Sequence, residues 1–333
     1  MTRIAVKRMA VLFSVLALLV AGATAALAGP TVIKIGWTTS DSPTDPYAMT
    51  ANIFKQNLDK IAPGQFDVQL FPNRQLGDEK EMVEGLSFGT LDAAVITNAV
   101  IAQIVPAFQL NDLPFLYPNQ EVAYKVLDGA VGQELKKKLD KKNIFCLGFA
   151  DSGFRLMINN VRPIFTPDDV KGIKWRVMQN PVFILMFSSL GGNAIPMAWG
   201  EVFTAVQQGT IDGLEIPVPV IFGNGYNEVC KYLSLTKHTY TVLGLLMSKK
   251  AYNKLDAKQR ALVDQAAKTT IQEQREANAA NFRDLVKKLA DKGMQVNDIK
   301  DPAAFRAKVK PVYDKFRDSI GPEIMDLAMK EAK

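Results

Sequence analysis

The sequence predicts an α/β fold of two lobes that face each other across a cleft and share one long spine helix. Three observations predict it. Apolar strand-like segments alternate with helical ones from Val32 to Phe149, the pattern of a parallel sheet covered by helices. The stretch Gly89-Thr90-Leu91-Asp92 returns 120 residues later as Gly209-Thr210-Ile211-Asp212. A helical pattern then runs from Asp256 to about Lys292.

The first residues address the compartment. Arg3, Lys7 and Arg8 precede an apolar run from Met9 to Val20, interrupted only by Ser14, and small residues lead to Ala26-Leu27-Ala28. This is the three-part layout of a secretory signal peptide, with cleavage expected after Ala28. The run of 12 residues falls short of the ~20 that span a bilayer. No cysteine lies near the cleavage point, which argues against a lipid anchor. A free periplasmic chain is expected. Losing residues 1–28 lowers the formal charge from +6 to +3. The lysines at 136–138 and 141–142 read as the solvated face of one short helix, so no nucleic-acid partner is expected.

The remaining elements follow in order. Val32 to Trp37 is a strand that stops in the polar loop Thr38 to Pro46. A helix from about Tyr47 to Ile61 sets Ala48, Ile53, Phe54 and Leu58 on one face, and Phe66 to Phe71 alternates as a strand. Gly89 and Gly209 each read as the glycine past a helix end, where positive φ is needed, followed by a short strand. Such connections often look alike, but they also fit two lobes built on one plan. Ligands of such sheets lie beyond the carboxyl ends of the strands, so facing lobes form a cleft. Ile144 to Phe149 reads as a buried strand carrying Cys146. Cys146 and Cys230 are expected to stay free. One His and two Cys cannot assemble a zinc site, and neither metal nor cofactor is expected.

The second lobe is expected to begin at Gly153. Thr166-Pro167-Asp168-Asp169 starts a short helix, Gly172 ends it, and Ile173 to Val177 is a strand. Tyr232 to Leu235 and Leu243 to Met247 are further strands, the latter returning to the first lobe. Asp256 and Gln259 form a capping box for the long helix. At 1.5 Å per residue that helix is ~50 Å long, enough to span both lobes as the spine of a hinge. The expected lobes are residues 29–152 with about 242–281, and 153–241 with about 282–333.

The available chemistry is thin for an enzyme. There is no Gly-x-Ser-x-Gly, no Walker loop and no Gly-x-Gly-x-x-Gly after a strand, and the single His238 has no signature nucleophile. No catalytic residue is expected. Arginines at strand positions stand out instead. Arg155 follows Asp151-Ser152-Gly153-Phe154, and Arg176 lies inside an apolar strand. A buried arginine needs a partner. That partner is either a structural carboxylate or a ligand carboxylate taken by the guanidinium fork. Glu215, in the apolar segment Gly213 to Pro217, needs a cation, and Arg176 and His238 are candidates. Trp37, Phe154 and Trp199 end strands or loops and serve either core or ligand.

Several stretches together carry a family resemblance. They are Phe71-Pro72-Asn73-Arg74-Gln75-Leu76-Gly77, Gly89 to Asp92, Leu113-Pro114-Phe115-Leu116, Asp169 to Val177, Pro196 to Val202 and Gln208 to Glu215. In this order and spacing the chain resembles the extracytoplasmic solute receptors of tripartite ATP-independent periplasmic (TRAP) transporters, the DctP-like family, over essentially its whole mature length. The resemblance implies a periplasmic-binding-protein-like, two-lobed monomer. Such a receptor closes on a small organic acid anion and docks onto a permease with small and large membrane subunits. It implies that Arg176 binds the ligand carboxylate, that Arg155 adds a contact, and that Glu215 and His238 hold the clamping arginine. Thr38, Thr97, Asn98, Met178 and Trp199 match pocket positions, and Trp37 and Ile216 complete the expected ligand-binding set. Many relatives carry Glu-Asn-Pro where this chain has Glu215-Ile216-Pro217. Isoleucine offers no amide, which points to a more apolar acid than a polyol, or to one bonded differently on that side. Rival readings are a periplasmic module serving a sensor kinase, a secreted enzyme, and a structural periplasmic protein, the last disfavoured by the strand arginines.

Overall fold

The computed structural model describes residues 29–332; the expected signal peptide lies outside the described residues. Nine strands are described: β1 (Thr31–Gly36), β2 (Phe66–Phe71), β3 (Ala93–Thr97), β4 (Ile144–Asn159), β5 (Lys174–Val177), β6 (Asn193–Pro196), β7 (Gly213–Pro217), β8 (Tyr232–Ser248) and β9 (Gln295–Asn297). They form one sheet in the order β2-β1-β3-β8-β4-β7-β5-β6, with β9 on β8. No helix among the described residues is long and apolar enough to cross a membrane.

The sheet is mixed rather than parallel, which corrects the sequence expectation. β1 runs parallel to β2 and β3, and β5 parallel to β6 and β7. The centre is antiparallel, where β8 pairs with β3 and β4, and β4 with β7. The short strand expected at Ile144 to Phe149 continues to Asn159, and the two expected strands after Tyr232 are the ends of one strand of 17 residues. Polar residues in the middle of each, Asp151 and Ser152 in β4 and Thr236 to Thr241 in β8, break the apolar pattern that marks a strand in sequence. In the fold most of them are buried where the sheet passes from one half to the other. Register shifts between Asp151 and Gly153 and between Arg155 and Met157 bend β4 there. Gly153 takes φ 97° at that bend, a conformation glycine adopts without penalty.

The repeated sequence stretch is also a repeated structure. Helix α2 (Glu79–Phe88) ends at Gly89 with φ 73°, and α7 (Trp199–Gln207) is followed by Gly209 with φ 70°. Thr90 N and Leu91 N donate to Gly85 O at 2.9 and 3.2 Å, and Thr210 N and Ile211 N donate to Ala205 O at 2.9 and 3.3 Å. Asp92 Oδ2 accepts from Lys34 N at 3.1 Å, and Asp212 Oδ2 from Lys174 N at 2.8 Å. Each copy therefore anchors a new strand beside the one already laid down, β3 beside β1 and β7 beside β5.

The long helix α10 (Ala257–Asp291) starts at the expected capping box, with Asp256 and Gln259 bonding each other's backbone. Its first half places Val263, Ala267 and Ile271 in the core that holds Trp37 and, from helix α1 (Pro46–Ile61), Phe54. Its second half places Leu285 and Leu289 in a different core, with Leu214, Ile216 and Cys230. One helix thus belongs to both halves. Cys146 and Cys230 are buried, unpaired thiols in separate clusters.

Candidate ligand-binding site

The carboxyl ends of β1, β5 and β7 and the polar middles of β4 and β8 converge on one cavity. Its wall comprises Thr38, Thr39, Tyr47, Glu79, Ser152, Arg155, Arg176, Met178, Trp199, Ile216, Pro217, Val220 and Thr241. Its volume is about 20 Å³, room for about one water. Beside it the loop after β1 is tied to helix α8 (Val218–Gly223) and the residue after it. Ser40 N donates to Asn224 Oδ1 at 2.9 Å, Ser40 Oγ to Gly223 O at 2.7 Å, and Asn224 Nδ2 to Asp45 Oδ2 at 2.9 Å. The joined segments both contribute to the wall, through Thr38, Thr39 and Val220, so separating them to admit a larger ligand breaks these bonds.

The two strand arginines are held in different ways. Arg155, 3% exposed, directs Nε and Nη2 to the Glu215 carboxylate, Nη2 also to the Glu215 carbonyl, and Nη1 to Thr241 Oγ1 at 3.0 Å. Glu215 Oε2, the oxygen that takes Arg155 Nε, also meets His238 Nε2 at 3.2 Å, and His238 Nδ1 meets Thr236 Oγ1 at 2.8 Å. Burial alone would raise the Glu215 carboxyl, but Arg155 and His238 overcome it and hold the group below its ordinary value. Burial pushes His238 down against the opposing pull of Glu215. A neutral imidazole, donating through Nε2 and accepting at Nδ1, satisfies both contacts.

Arg176 has no such counter-charge. It is 1% exposed, and its Nε and Nη2 donate to Met197 O at 3.0 and 2.7 Å while Nη1 lies 3.3 Å from Met178 Sδ. No carboxylate forms an ion pair with it among the described residues. Burial, and then the nearby positive charge of Arg155, lower its pKa. The expectation that Glu215 and His238 hold Arg176 is corrected: they hold Arg155. The register decides this, because Arg155 stands opposite Pro217 on β4 and reaches Glu215 directly, whereas Arg176 pairs with Leu214 on the other side of β7.

The same wall carries a carboxyl group that sequence reasoning missed. Glu79, the first residue of α2, is buried and accepts from Thr97 N at 2.7 Å. Burial raises its pKa to about 7, against the lowering effects of Thr97 N–H, Tyr47 and Arg176. Its only sequence signal was an acidic pair, Asp78-Glu79, which reads as ordinary charge at a helix start. Tyr47 and Thr39 were missed because they belong to the loop and helix after β1, where helical periodicity accounts for them equally well.

Of the expected ligand-binding residues, Arg176, Arg155, Met178, Trp199, Thr38 and Ile216 share the cavity wall. Trp37, Thr97 and Asn98 stand behind it, which corrects their expected place. Trp37 is fully buried in the core, with Nε1 on Ser40 O at 3.4 Å. Thr97 supplies the N–H that positions Glu79. Asn98 Nδ2 donates to Phe108 O at 2.8 Å and its Oδ1 accepts from Asn111 at 2.8 Å, so both ends of its amide are bonded within the chain. No group of side chains among the described residues could hold a metal ion.

Comparison with known proteins agrees with this architecture. The profile of the bacterial extracellular solute-binding proteins of family 7, DctP, matches residues 38–319. The 2,3-diketo-L-gulonate-binding periplasmic protein YiaO of Escherichia coli is 32% identical over 300 residues, covering 90% of this chain and 87% of that one. The sugar acid binding protein DctPAm of Advenella mimigardefordensis, solved with galactonate, superposes with a TM-score of 0.88 at 34% identity, over 91% of this chain and 98% of that one. A TRAP periplasmic solute binding protein of Polaromonas, solved with D-erythronate, gives a TM-score of 0.85 at 36% identity, over 90% and 98%. With a match of that length and relatives that are binding proteins rather than enzymes, the chain belongs to the DctP family of TRAP solute-binding proteins.

Proposed function

We propose that this chain is a periplasmic receptor that captures a hydroxylated monocarboxylate and hands it to the small and large membrane subunits of a TRAP permease. The observation that carries the ligand class is Arg176: a buried guanidinium facing a closable cavity with no carboxylate partner among the described residues. A ligand carboxylate supplies the missing charge through two parallel hydrogen bonds. Arg155, already neutralised by Glu215, adds a donor edge without adding net charge. Cleft closure removes competing water and strengthens the ion pair.

Glu79 selects what lies at the other end of the ligand. An acid with hydroxyl groups can donate to Glu79 and to the hydroxyls of Thr38, Thr39 and Tyr47. A second carboxylate there meets the same like-charge penalty from the ionised form of Glu79, so it is disfavoured above about pH 7, where Glu79 loses its proton. The ligands named for the relatives above, galactonate, D-erythronate and 2,3-diketo-L-gulonate, are of the favoured kind.

The test is a thermal-shift screen of the chain from Gly29 onward, refolded to strip carried-over ligand, against sugar acids, their amides and C4-dicarboxylates. A ligand at a hundredfold excess over Kd adds ~2.7 kcal/mol, several degrees in the midpoint. Stabilisation by sugar acids and not by their amides supports the reading. A response to neutral sugars alone overturns it.

A further inference from the structure

The loop after β2 meets the start of α7, although the two belong to opposite edges of the sheet. β2 ends the sheet on one side and β6, which leads into α7, ends it on the other, with β1, β3, β8, β4, β7 and β5 between them. The contact is therefore made between the two halves and not along the sheet. Asp78 stands at the cap position of its own helix α2 but makes no side-chain cap bond there. Its Oδ2 accepts instead from the N–H of Gly200, the second residue of α7, at 3.4 Å. The cap position of α7 holds Ala198, which offers no side-chain acceptor, and the first N–H groups of a helix need one. Asp78 thus caps a helix of the other half.

Gly200 admits this approach because it has no side chain. A Cβ built on it would overlap Arg74 Nη1 and lie 2.5 Å from Arg74 Cζ and 3.0 Å from Asp78 Oδ2. Its backbone is not in the left-handed range that calls for glycine, and alanine is the better helix former. The guanidinium beside it is placed by an unusual turn. Asn73 and Arg74 take φ 53° and 61°, a region that arginine enters at a cost. Asn73 N donates to Thr39 O at 3.0 Å and Arg74 N to Trp37 O at 3.1 Å, which fixes the turn against the loop after β1. Arg74, Gly200, Gly223 and Asn224 line one hollow of about 390 Å³, which shares Thr38 and Trp199 with the ligand cavity. This contact and the Asn224 contacts therefore border the same space next to the ligand cavity.

We infer that Asp78 and Gly200 form a latch between the halves. The Asp78 carboxylate of one half holds the first turn of α7 in the other, and Gly200 leaves the space that Arg74 fills when the halves meet. Asp78 is then a positioning residue: it touches no ligand but holds closed the form that does. The inference rests on the reading of the cavity as a ligand site that opens and closes.

The test follows the distance between the halves and the binding of galactonate in the chain from Gly29 onward. Spin labels go on Lys60→Cys and Gln208→Cys, exposed positions in the two halves, since both native thiols are buried. Gly200→Leu wedges the contact. Asp78→Ala removes the acceptor, and Asp78→Asn keeps an acceptor without the charge, so comparing these two cancels the effect of lost charge on an anionic ligand. Galactonate should shorten the label distance in the unaltered chain. Gly200→Leu should keep the longer distance and bind about tenfold more weakly or worse, ~1.4 kcal/mol. Asp78→Ala should release galactonate about fivefold faster than Asp78→Asn, the effect of losing a helix cap. Gly200→Leu that closes and binds as the unaltered chain does, or equal release from the two Asp78 variants, overturns the latch. If galactonate does not bind the unaltered chain, the proposed ligand class fails separately. The latch is then judged on the ligand-free distances, which Gly200→Leu must lengthen, and equal distances overturn it. If Gly200→Leu does not fold, the two Asp78 variants decide alone.

Discussion

Glu215 gives its side-chain oxygens to Arg155 and His238 and none to Arg176. Two arginines that look alike in sequence are thereby separated into a fixed structural cation and an uncommitted one. Replacing Glu215 with Gln keeps the volume but leaves Arg155 charged and uncompensated in a buried site. Removing one partner of a buried pair costs about 3–5 kcal/mol. We expect Glu215→Gln to lose about that much in urea unfolding at neutral pH. A loss under about 1 kcal/mol would show that Thr241 and the Glu215 carbonyl alone satisfy Arg155.

Arg176 predicts the opposite pairing of effects. Arg176→Met keeps the aliphatic volume and removes a buried charge without a carboxylate partner, so the ligand-free protein should be as stable as before or more so. Ligand binding should fall by at least about 30-fold, ~2 kcal/mol. Arg176→Lys keeps the charge but not the fork, and should weaken binding to an intermediate degree. Calorimetry alongside thermal unfolding separates the two effects. A destabilised Arg176→Met with unaltered affinity would make Arg176 a structural residue.

Glu79 predicts a pH dependence whose sign can be worked out. Its folded pKa, about 7, lies above the ordinary 4.5, so the folded state holds a proton that the unfolded state releases between those values. Its favourable contribution is complete below about pH 4.5 and is lost as pH rises to about 7. Asp45, raised to about 6 by burial against four hydrogen bonds, acts in the same direction. Asp112, raised to about 8 by burial, acts so too, whereas Glu215, held low, acts the other way in acid and His238, pushed down by burial, acts the other way below its ordinary 6.5. Ligand-free stability should therefore fall between pH 5 and 7, and Glu79→Gln should remove part of that fall. For Glu79 the full span is on the order of 3 kcal/mol. An unchanged pH profile in Glu79→Gln would place its titration in the ordinary range.

How much could be read from the sequence followed from chain proximity. The helix-closing glycines, the capping box at Asp256 and the apolar strands are local patterns, and each appears in the fold where its residues suggested. The continuity of β4 and β8 was hidden, because the residues that form the site are the polar ones that interrupt those strands. The partner of Glu215 was hidden for another reason. Arg176 and His238 were the candidates in sequence, and Arg155, farther along the chain, is brought to Glu215 only by the register of β7 between β4 and β5. Glu79 was hidden because a carboxylate at a helix start already has an ordinary explanation.

The contacts beside the cavity predict a kinetic effect. Asn224 accepts from Ser40 N and donates to Asp45, which is itself the cap of α1 through Tyr47 N and Ala48 N. Opening the cleft must break both Asn224 bonds, whereas ligand reaching the open cleft does not meet them. Each is worth about 1 kcal/mol net, and affinity changes within one interface fall mainly on dissociation. Asn224→Ala should therefore speed ligand release about tenfold or more, with association nearly unchanged. Stopped-flow tryptophan fluorescence can follow this, since Trp199 is part of the cavity wall. Equal acceleration of association and release would mean that Asn224 sets the rate of closure rather than the lifetime of the closed form. Unchanged release would show that the Asp45 and Ser40 bonds add nothing to holding the cleft shut.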